Sequence, residues 1–244
     1  MFIKMKQIFI ILSFCILNIS IIAQNFNTSV FGGANISLYS SFDNKITYDI
    51  PVSKNKIGFG FSFGIRENIS ISKRFCITSE IIFSNISASF ISSAYVSAIP
   101  EIHGIAQNNL RINYLELPVY IKLDDNIKDN HNFIYYIGIG FNYVIQAHRK
   151  SDIISFDMNN PEDKQTIMNF NENINLKTGN NNKIGNFFIL GLGKKFPFKN
   201  NSLFIEIRYK QDINKWIYPA MNYQYSKDIK IKNHSLLFLL GFNL

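Results

Sequence analysis

Strict alternation between residues 57 and 66 constrains this chain more than any other feature of its sequence. Phenylalanine and isoleucine occupy the odd positions from Ile57 to Ile65, and glycine occupies most of the even positions. Successive side chains of a β-strand point to opposite faces, so this pattern predicts a strand with one bulky apolar face. Glycine weakens a strand unless something requires empty space on that face. A small closed barrel has that requirement, because bulky side chains can face lipid while glycines face a narrow, filled lumen.

The first 23 residues predict export across a membrane. Lys4 and Lys6 precede an apolar run from Ile8 to Ile22, which is too short to span a bilayer comfortably. Ala23 offers a small residue at the cleavage point. We therefore expect residues 1–23 to be a removed signal peptide and residues 24–244 to form one outer-membrane β-barrel domain.

Composition narrows how the remaining chain can meet a membrane. No later stretch has the roughly 18 consecutive apolar residues of a membrane-spanning helix, so strands must cross the bilayer if the chain lies in one. Cys76 is the only cysteine after residue 23, which excludes an internal disulfide. The formal net charge of +8 is spread along the chain, so we expect no nucleic-acid partner.

Eight segments alternate with the period of a β-strand. In each segment bulky apolar residues share one face, and smaller or polar residues share the other. Gly138, Gly140, Gly191 and Gly193 fall on the second face, where they leave room for larger inward side chains of other strands. The predicted strands are Thr28–Tyr39, Ile57–Ile69, Arg74–Ala88, Leu110–Leu123, Phe133–Gln146, Ile184–Phe196, Ser202–Lys210 and Lys232–Leu244.

The connections between these segments alternate in length. They are short after the second, fourth and sixth strands and long elsewhere, at about residues 40–56, 89–109, 147–183 and 211–231. This asymmetry is typical of outer-membrane barrels. We predict an all-β fold, an eight-stranded antiparallel up-and-down transmembrane β-barrel with long extracellular loops and short periplasmic turns. Ten strands are the alternative, if a hairpin within residues 147–183 also crosses the membrane.

An apolar stripe ends at the last residue of the chain. Leu236, Phe238, Leu240, Phe242 and Leu244 share one face of the final strand. The stripe resembles the terminal strand that the outer-membrane assembly machinery recognises, so we expect that machinery to be a partner during biogenesis. Such strands usually end in Phe or Tyr, and Leu244 departs from that pattern.

Four segments carry a family resemblance. They are Asn113–Lys122 (NYLELPVYIK), the glycine-punctuated Tyr136–Phe141, the strand Leu203–Tyr209 and the ending Gly241-Phe242. Together they resemble the PorT-like family of bacterial outer-membrane β-barrel proteins. The resemblance implies a small single-domain barrel that is integral to the bacterial outer membrane. For some members it also implies support of type IX secretion, with secretion-system proteins as candidate partners.

Charged residues on the inward faces predict a network inside the lumen. Buried charges need partners, so salt bridges that fill the interior are the economical interpretation. An ion pathway lined by these charges is the functional alternative. The residues of the predicted lumen network are Arg66, Glu80, Glu116, Lys122, Glu206 and Arg208.

The single tryptophan, Trp216, lies in the fourth predicted external loop. Tryptophan favours the membrane–water interface, so we predict that Trp216 is an interface anchor. A binding patch that Trp216 forms with tyrosines of the same loop is the alternative. The lysines of this loop make lipopolysaccharide a candidate partner, beside outer-membrane lipid in general.

No constellation predicts catalysis, a cofactor or a metal site. The four histidines are single residues without the spacing of metal ligands, and no loop Ser, His and Asp are spaced as nucleophile and base. A different local irregularity is expected at Pro118, because proline removes a donor from the strand ladder. We predict a bulge or break near Leu117.

We predict from these features an outer-membrane barrel with a filled lumen that is not an enzyme. Its role is structural, in surface interaction or in secretion support. A small porin that passes ions or solutes is the first rival, and an enzyme with groups at the outer rim is the second. A soluble, secreted β-sandwich is the structural rival.

Overall fold

The computed structural model describes residues 26–41, 57–72, 74–95, 102–125, 133–157, 160–178, 183–199, 201–218 and 229–244. The predicted signal peptide lies outside the described residues. In these ranges, no helix is long and apolar enough to cross a membrane. The strands are β1 (Phe26–Ser41), β2 (Gly58–Ser70), β3 (Phe75–Tyr95), β4 (Ile102–Asp125), β5 (Phe133–Asp157), β6 (Asn160–Ile174), β7 (Lys177–Thr178), β8 (Ile184–Phe198), β9 (Asn201–Asp212), β10 (Trp216–Tyr218) and β11 (Ile229–Asn243).

Eight of these strands close into an antiparallel barrel, which confirms the predicted fold. They follow each other in the order β1, β2, β3, β4, β5, β8, β9 and β11, and β11 pairs back onto β1. Closure satisfies the backbone donors and acceptors around the ring, as a hydrocarbon environment requires. β6 pairs with β5 outside this ring, so the ten-strand alternative is wrong.

Outward-facing side chains form an apolar belt around the barrel. In β5 the odd-numbered residues from Tyr135 to Ile145 are 45–62% exposed, whereas Ile134 and Tyr136 are at most 4% exposed. Ten residue steps cover about 34 Å of strand, or about 26 Å along the membrane normal at a typical tilt of about 40°. That height matches the apolar band of an outer-membrane barrel.

Both ends of the described chain lie at one end of the barrel, together with the short turns. The Leu244 amide donates to the Thr28 carbonyl at 2.8 Å, and the Ile71 amide closes the β2/β3 turn on the Phe75 carbonyl at 2.9 Å. Lys199 adopts a φ of 53° in the turn between β8 and β9. Short turns are periplasmic in this architecture, so the opposite end is the extracellular mouth.

Three strands of the ring, β3, β4 and β5, continue well past the belt at the extracellular end. β3 and β4 stay paired up to Tyr95↔His103, and β5 pairs with β4 as far as Asp157↔Ile102. Most of the predicted loop at residues 89–109 is therefore strand. The sequence of these extensions lacks the strict alternation that marks strands in lipid, so it predicts a loop.

A β-bulge at Ile145 changes which residues of β5 face inward. Tyr114 of β4 pairs with Val144, whereas Asn113 pairs with Gln146, so Ile145 has no partner position in β4. One extra residue shifts the side-chain period by one. Inward positions are even up to Val144 and odd from Ala147 onward.

Pro118 interrupts the ladder without a bulge of its own. The β3/β4 ladder skips the two positions between Ser79↔Val119 and Ile82↔Glu116 and resumes in the same register. The predicted local break is therefore present, because proline has no amide hydrogen to donate. The register shift of β4 against β5 occurs at Asn113/Tyr114 and not at Leu117.

Candidate functional site

The lumen contains a cluster of four buried charged side chains near mid-barrel. Arg66 of β2 and Glu80 of β3 lie directly opposite each other in the strand register. Glu206 and Arg208 are two residues apart in β9, so both face inward. All four residues are at most 3% exposed. We refer to Arg66, Glu80, Glu206 and Arg208 as the lumen quartet.

Each arginine of the lumen quartet binds both carboxylates. Arg66 donates from Nε to Glu80 Oε1 at 2.6 Å, and from Nη1 and Nη2 to the two oxygens of Glu206 at 2.7 and 2.6 Å. Arg208 donates from Nη1 and Nη2 to Glu80 at 2.6 and 2.8 Å, and from Nη2 to Glu206 Oε2 at 2.7 Å. Two cations and two anions cancel, so the buried charges compensate one another.

Aromatic side chains enclose the lumen quartet. The Tyr120 hydroxyl donates to Glu80 Oε1, and the Tyr136 hydroxyl donates to Glu206 Oε2 at 3.2 Å. The Arg66 guanidinium carbon lies 4.5 Å from the centre of the Phe204 ring and 5.2 Å from that of Phe31. These contacts satisfy the carboxylate oxygens and place the arginines over aromatic faces, where a cation is attracted to the ring.

The predicted six-residue lumen network divides into three separate groups. Glu116 accepts an ion-paired hydrogen bond from Lys210. Lys210 is two residues after Arg208 in β9, so this pair lies nearer the extracellular mouth than the lumen quartet. Lys122 lies nearer the periplasmic end, where it donates to Asn68 Oδ1 at 3.0 Å and sits 3.8 Å from the Asp124 carboxylate. The structure therefore brings only Arg66, Glu80, Glu206 and Arg208 together. The alternation placed all six residues inside the barrel, but height along the axis separates Glu116 and Lys122 from the others.

The predicted position of Trp216 at the membrane interface is wrong. Trp216 is fully buried in the extracellular mouth, and its indole nitrogen donates to Asp212 Oδ2 at 2.9 Å. The same carboxylate accepts a 3.0 Å bond from the Asn142 amide. The buried carboxylate needs donors, and the indole provides one while filling the mouth with apolar surface. Asp212 is a buried residue that the sequence analysis did not single out.

Two apolar clusters fill the space above and around the charged groups. Together their residues come from seven of the eight ring strands, all except β2. We call the upper one the mouth cluster: Ile86, Leu110, Ile112, Tyr114, Val144, Ala147, Leu176, Trp216 and Ile231. The second surrounds the lumen quartet and contains Phe31, Ile82, Tyr120, Ile134, Tyr136, Phe187, Ile189, Phe204, Leu237 and Leu239.

The predicted lumen network consists of charged residues and contains none of these inward apolar side chains. A signal for some of them exists in β11, where Leu236 to Leu240 are apolar on both faces. A strand that is apolar on both faces is kept from water on both faces. In β11 the even residues face lipid, and Leu237 and Leu239 are 2% exposed inside the barrel.

Comparison with known families decides the class of this barrel. The family model of the outer membrane protein beta-barrel domain matches residues 22–218. The chain belongs to the outer membrane protein beta-barrel domain family. The matched region stops before β11, the strand that closes the ring against β1. As a member of this family the protein is integral to the outer membrane, and its apolar belt contacts membrane lipid.

Solved structures of outer-membrane proteins are similar to this chain at low identity. The attachment invasion locus protein Ail of Yersinia pestis is 13% identical, over 91% of this chain and 100% of Ail, with a TM-score of 0.42. OprG of Pseudomonas aeruginosa is 11% identical, over 89% of this chain and 95% of OprG, with a TM-score of 0.48. The protease OmpT of Escherichia coli is 8% identical, with coverages of 91% and 96% and a TM-score of 0.36. No curated protein matches the chain.

The described part of this outer membrane beta-barrel domain offers no metal centre. No group of three His, Cys, Asp or Glu side chains lies together within the described ranges. His148 bonds to Asn171 and Asn173 at 2.6 and 3.2 Å on the outer surface, and His234 contacts the Tyr209 hydroxyl at 3.1 Å.

Proposed function

We propose that this outer-membrane protein is a barrel closed to solutes that serves as a rigid platform for surface interaction. The observation that carries this proposal is the lumen quartet. It ties β9 to β2 and β3 across the interior with hydrogen bonds of 2.6 to 2.8 Å. The interior of an eight-stranded barrel is just wide enough for side chains to fill, and here side chains from opposite walls meet.

A second closure supports the same proposal. The mouth cluster lies between the lumen quartet and the extracellular end, and all its members are at most 2% exposed. A permeating ion would have to leave water and cross this apolar layer, which costs far more than passage through a wet polar pore. To pass the lumen quartet below this layer, the ion would also require both arginines to separate from both carboxylates.

The platform itself is the sheet formed by β3, β4, β5 and β6 beyond the belt. β3, β4 and β5 are direct continuations of the barrel wall, since β4 and β5 are paired without interruption from the periplasmic end to Ile102↔Asp157 except at the bulge. β6 is attached to this sheet through its pairing with β5. A surface built on continuous strands is held in place by the barrel below it. We propose that partners at the cell surface meet this sheet, and that the protein is not an enzyme.

Conductance measurements test the closed barrel. The mature chain is reconstituted in a planar lipid bilayer, with a general diffusion porin as the positive control in the same set-up. We expect no stable openings over the voltage range in which the porin conducts. Stable, sizeable openings would overturn the proposal in favour of a small porin.

A more specific version of this proposal is that the protein supports secretion. What supports it is the resemblance of Asn113–Lys122, which forms the membrane-spanning part of β4, to PorT-like proteins. Deletion of the gene, followed by comparison of surface and secreted proteins, tests this role. A loss of secreted cargo is expected, and an unchanged profile would leave surface interaction without secretion. The assembly machinery and lipopolysaccharide are the other proposed partners.

A further inference from the structure

A cleft of about 180 Å³ opens in the outer wall where β5 changes partners. β5 pairs with β8 up to Tyr143 and with β6 from Ala147 onward, so residues 144–146 lie between the two neighbours. The Val144 amide donates to the Lys183 carbonyl at 2.9 Å, which draws the start of the next segment to the edge of this gap. The cleft therefore lies where β5 passes from one neighbour to the other, at the level of the Ile145 bulge.

The cleft is amphipathic. Its apolar wall comes from β5, from the end of β6 and from the segment after β6, and its polar rim carries two carboxamides and one ammonium group. No carboxylate among the described residues lines it. The apolar lining residues are Val144, Ile145, Ala147, Ile174 and Leu176, and the polar ones are Gln146, Asn173 and Lys183. Val144, Ala147 and Leu176 belong to the buried mouth cluster and form the floor of the cleft, whereas Ile145, Gln146, Asn173 and Lys183 are exposed at its outer edge.

The cleft lies at the level where the outer surface changes from apolar to polar. Tyr143 and Ile145 are 46% and 48% exposed at the upper edge of the lipid-facing belt. The next outward residues of β5 are Gln146, His148 and Lys150. This height corresponds to the boundary between acyl chains and headgroups of the outer leaflet.

Polar and basic residues cover the wall directly above the cleft. Arg111 of β4 lies opposite His148, and Asn109 lies opposite Lys150. His148 is bonded to Asn171 and Asn173 of β6 at 2.6 and 3.2 Å. Amides, imidazole and guanidinium on one surface match the hydroxyl and phosphate groups of a sugar phosphate, since they supply both hydrogen bonds and positive charge.

A nearby carboxylate does not cancel this positive surface. Glu172 of β6 forms an ion pair with Arg149, which faces the inner side of the sheet. Asp152 is the outward carboxylate of β5 and lies beyond Lys150, further from the belt. Lys183, Arg111 and Lys150 are the basic groups of this part of the wall, and their charge favours an anionic headgroup.

We propose that this cleft and the wall above it bind a phosphorylated glycolipid of the outer leaflet, of the lipopolysaccharide class. One acyl segment enters the apolar part between Ile145 and Ile174, and a phosphate meets Lys183. The sugar lies against Gln146, Asn173 and His148. The volume is below that of sites that enclose a small molecule, so the cleft holds one part of the lipid only. The site rests on the proposed outer-surface platform and gives it a ligand class.

Thermal stabilisation by added lipid tests the site. The mature protein in detergent is heated with increasing concentrations of rough-type lipopolysaccharide, and its unfolding is followed by heat-modifiable gel migration. Lys183→Glu reverses the charge at the rim, and Asn173→Trp fills the cleft from an exposed position. Lys199→Glu, at the exposed periplasmic turn, is the matched control. We expect each cleft variant to need at least about fivefold more lipopolysaccharide for the same stabilisation, and the control to match the wild type.

Two further arms use the wild-type protein, so the test does not depend on the variants folding. Dephosphorylated lipopolysaccharide should stabilise it at least about fivefold less efficiently. Phosphatidylglycerol should also stabilise it less than lipopolysaccharide. Equal stabilisation by phosphatidylglycerol, or cleft variants that behave like the wild type, would overturn the proposal. The conductance result is independent of all these outcomes, so a failed site and an open barrel are distinguishable.

Discussion

Arg208 and Glu80 lie on diametrically opposite strands of the barrel and are joined by two hydrogen bonds of 2.6 and 2.8 Å. β9 is the fourth strand from β3 in either direction around the ring. A bidentate guanidinium–carboxylate pair therefore spans the full width of the lumen. Arg66 and Glu206 form a second such pair beside it, with hydrogen bonds of 2.7 and 2.6 Å.

Removal of one partner of this bridge should be costly. Arg208→Met leaves the two buried carboxylates of Glu80 and Glu206 with the single guanidinium of Arg66, so one buried negative charge is uncompensated. We expect the free energy of unfolding to fall by about 3–5 kcal/mol. The double variant with Glu80→Gln should lose less than the sum of the single variants, by about 0.5–3 kcal/mol. Urea unfolding in lipid vesicles measures these values.

Lys195 and Asp124, an ion pair with 24% and 16% side-chain exposure, provide a control cycle with weak coupling. Additive single changes at Arg208 and Glu80 would contradict the bridge.

Inward glycines should be sensitive to a single added methyl group. Gly191 lies opposite Tyr136, and a Cβ atom there would collide with the tyrosine ring. At outward-facing Gly32 the nearest heavy atoms would be 3.6 Å from the new atom, which is ordinary contact. Both alanine variants restrict the unfolded chain alike, so their difference reports the collision. We expect Gly191→Ala to be less stable than Gly32→Ala by about 1–3 kcal/mol in urea titrations. Equal stabilities would show that Tyr136 moves without cost.

A charge in the middle of the apolar belt should destabilise the folded state. Ile139 is 62% exposed on the lipid face of β5, near the centre of the belt. Ile139→Lys is expected to cost about 2–4 kcal/mol, because the ammonium group would lie in hydrocarbon. Asn109→Lys, on the outward face above the belt, should cost at most about 1 kcal/mol. Folding into vesicles of defined thickness, followed by gel migration, compares the two. A tolerated Ile139→Lys would place the membrane elsewhere.

The buried position of Trp216 has a spectroscopic consequence. Lipids with brominated acyl chains quench tryptophans that touch lipid, so Trp216 in the barrel mouth should keep its fluorescence in brominated vesicles. As control, Tyr143→Trp in a Trp216→Phe background introduces an indole on the lipid face, where Tyr143 is 46% exposed, and should be quenched. Strong quenching of the wild type would restore the interface-anchor interpretation.

The Trp216→Phe variant also tests the bond to Asp212. Phenylalanine keeps most of the apolar volume but removes the indole donor that bonds Asp212 Oδ2 at 2.9 Å. A buried carboxylate that loses one donor costs about 1–3 kcal/mol, so the variant should melt at lower temperature by gel migration. Ile213→Phe, at an exposed neighbouring position, serves as control. An unchanged melting temperature would show that Asn142 and the backbone suffice for Asp212.

Sequence periodicity predicts the wall of this barrel well, because lipid imposes a strict rule on every other side chain. In β2, the residues Phe59, Phe61 and Phe63 face outward as the alternation requires, and Ser62 and Arg66 face inward. The same rule fails above the membrane. There β3, β4 and β5 continue as strands through residues that resemble a loop, and the Ile145 bulge reverses which parity faces inward.

The contacts inside the lumen are less predictable than the wall. The two-residue period of a strand shows only which side chains point inward, and not which of them meet. Glu116 and Glu206 share that direction, yet one bonds Lys210 and the other bonds Arg66. Which charges meet depends on the stagger of the strands around the closed ring, since stagger sets the height of each residue along the axis.

The alternation from Ile57 to Arg66 is enough to assign a lipid face, a lumen face and a membrane location, because these follow from local strand geometry and solvation. Closure of β11 onto β1 decides which inward side chains meet inside the lumen. It brings Arg208 of one wall to Glu80 of the other, and it encloses Trp216 over Asp212 instead of leaving it in the interface. These contacts join residues far apart in the chain, and only the three-dimensional arrangement of the ring sets the distance between them.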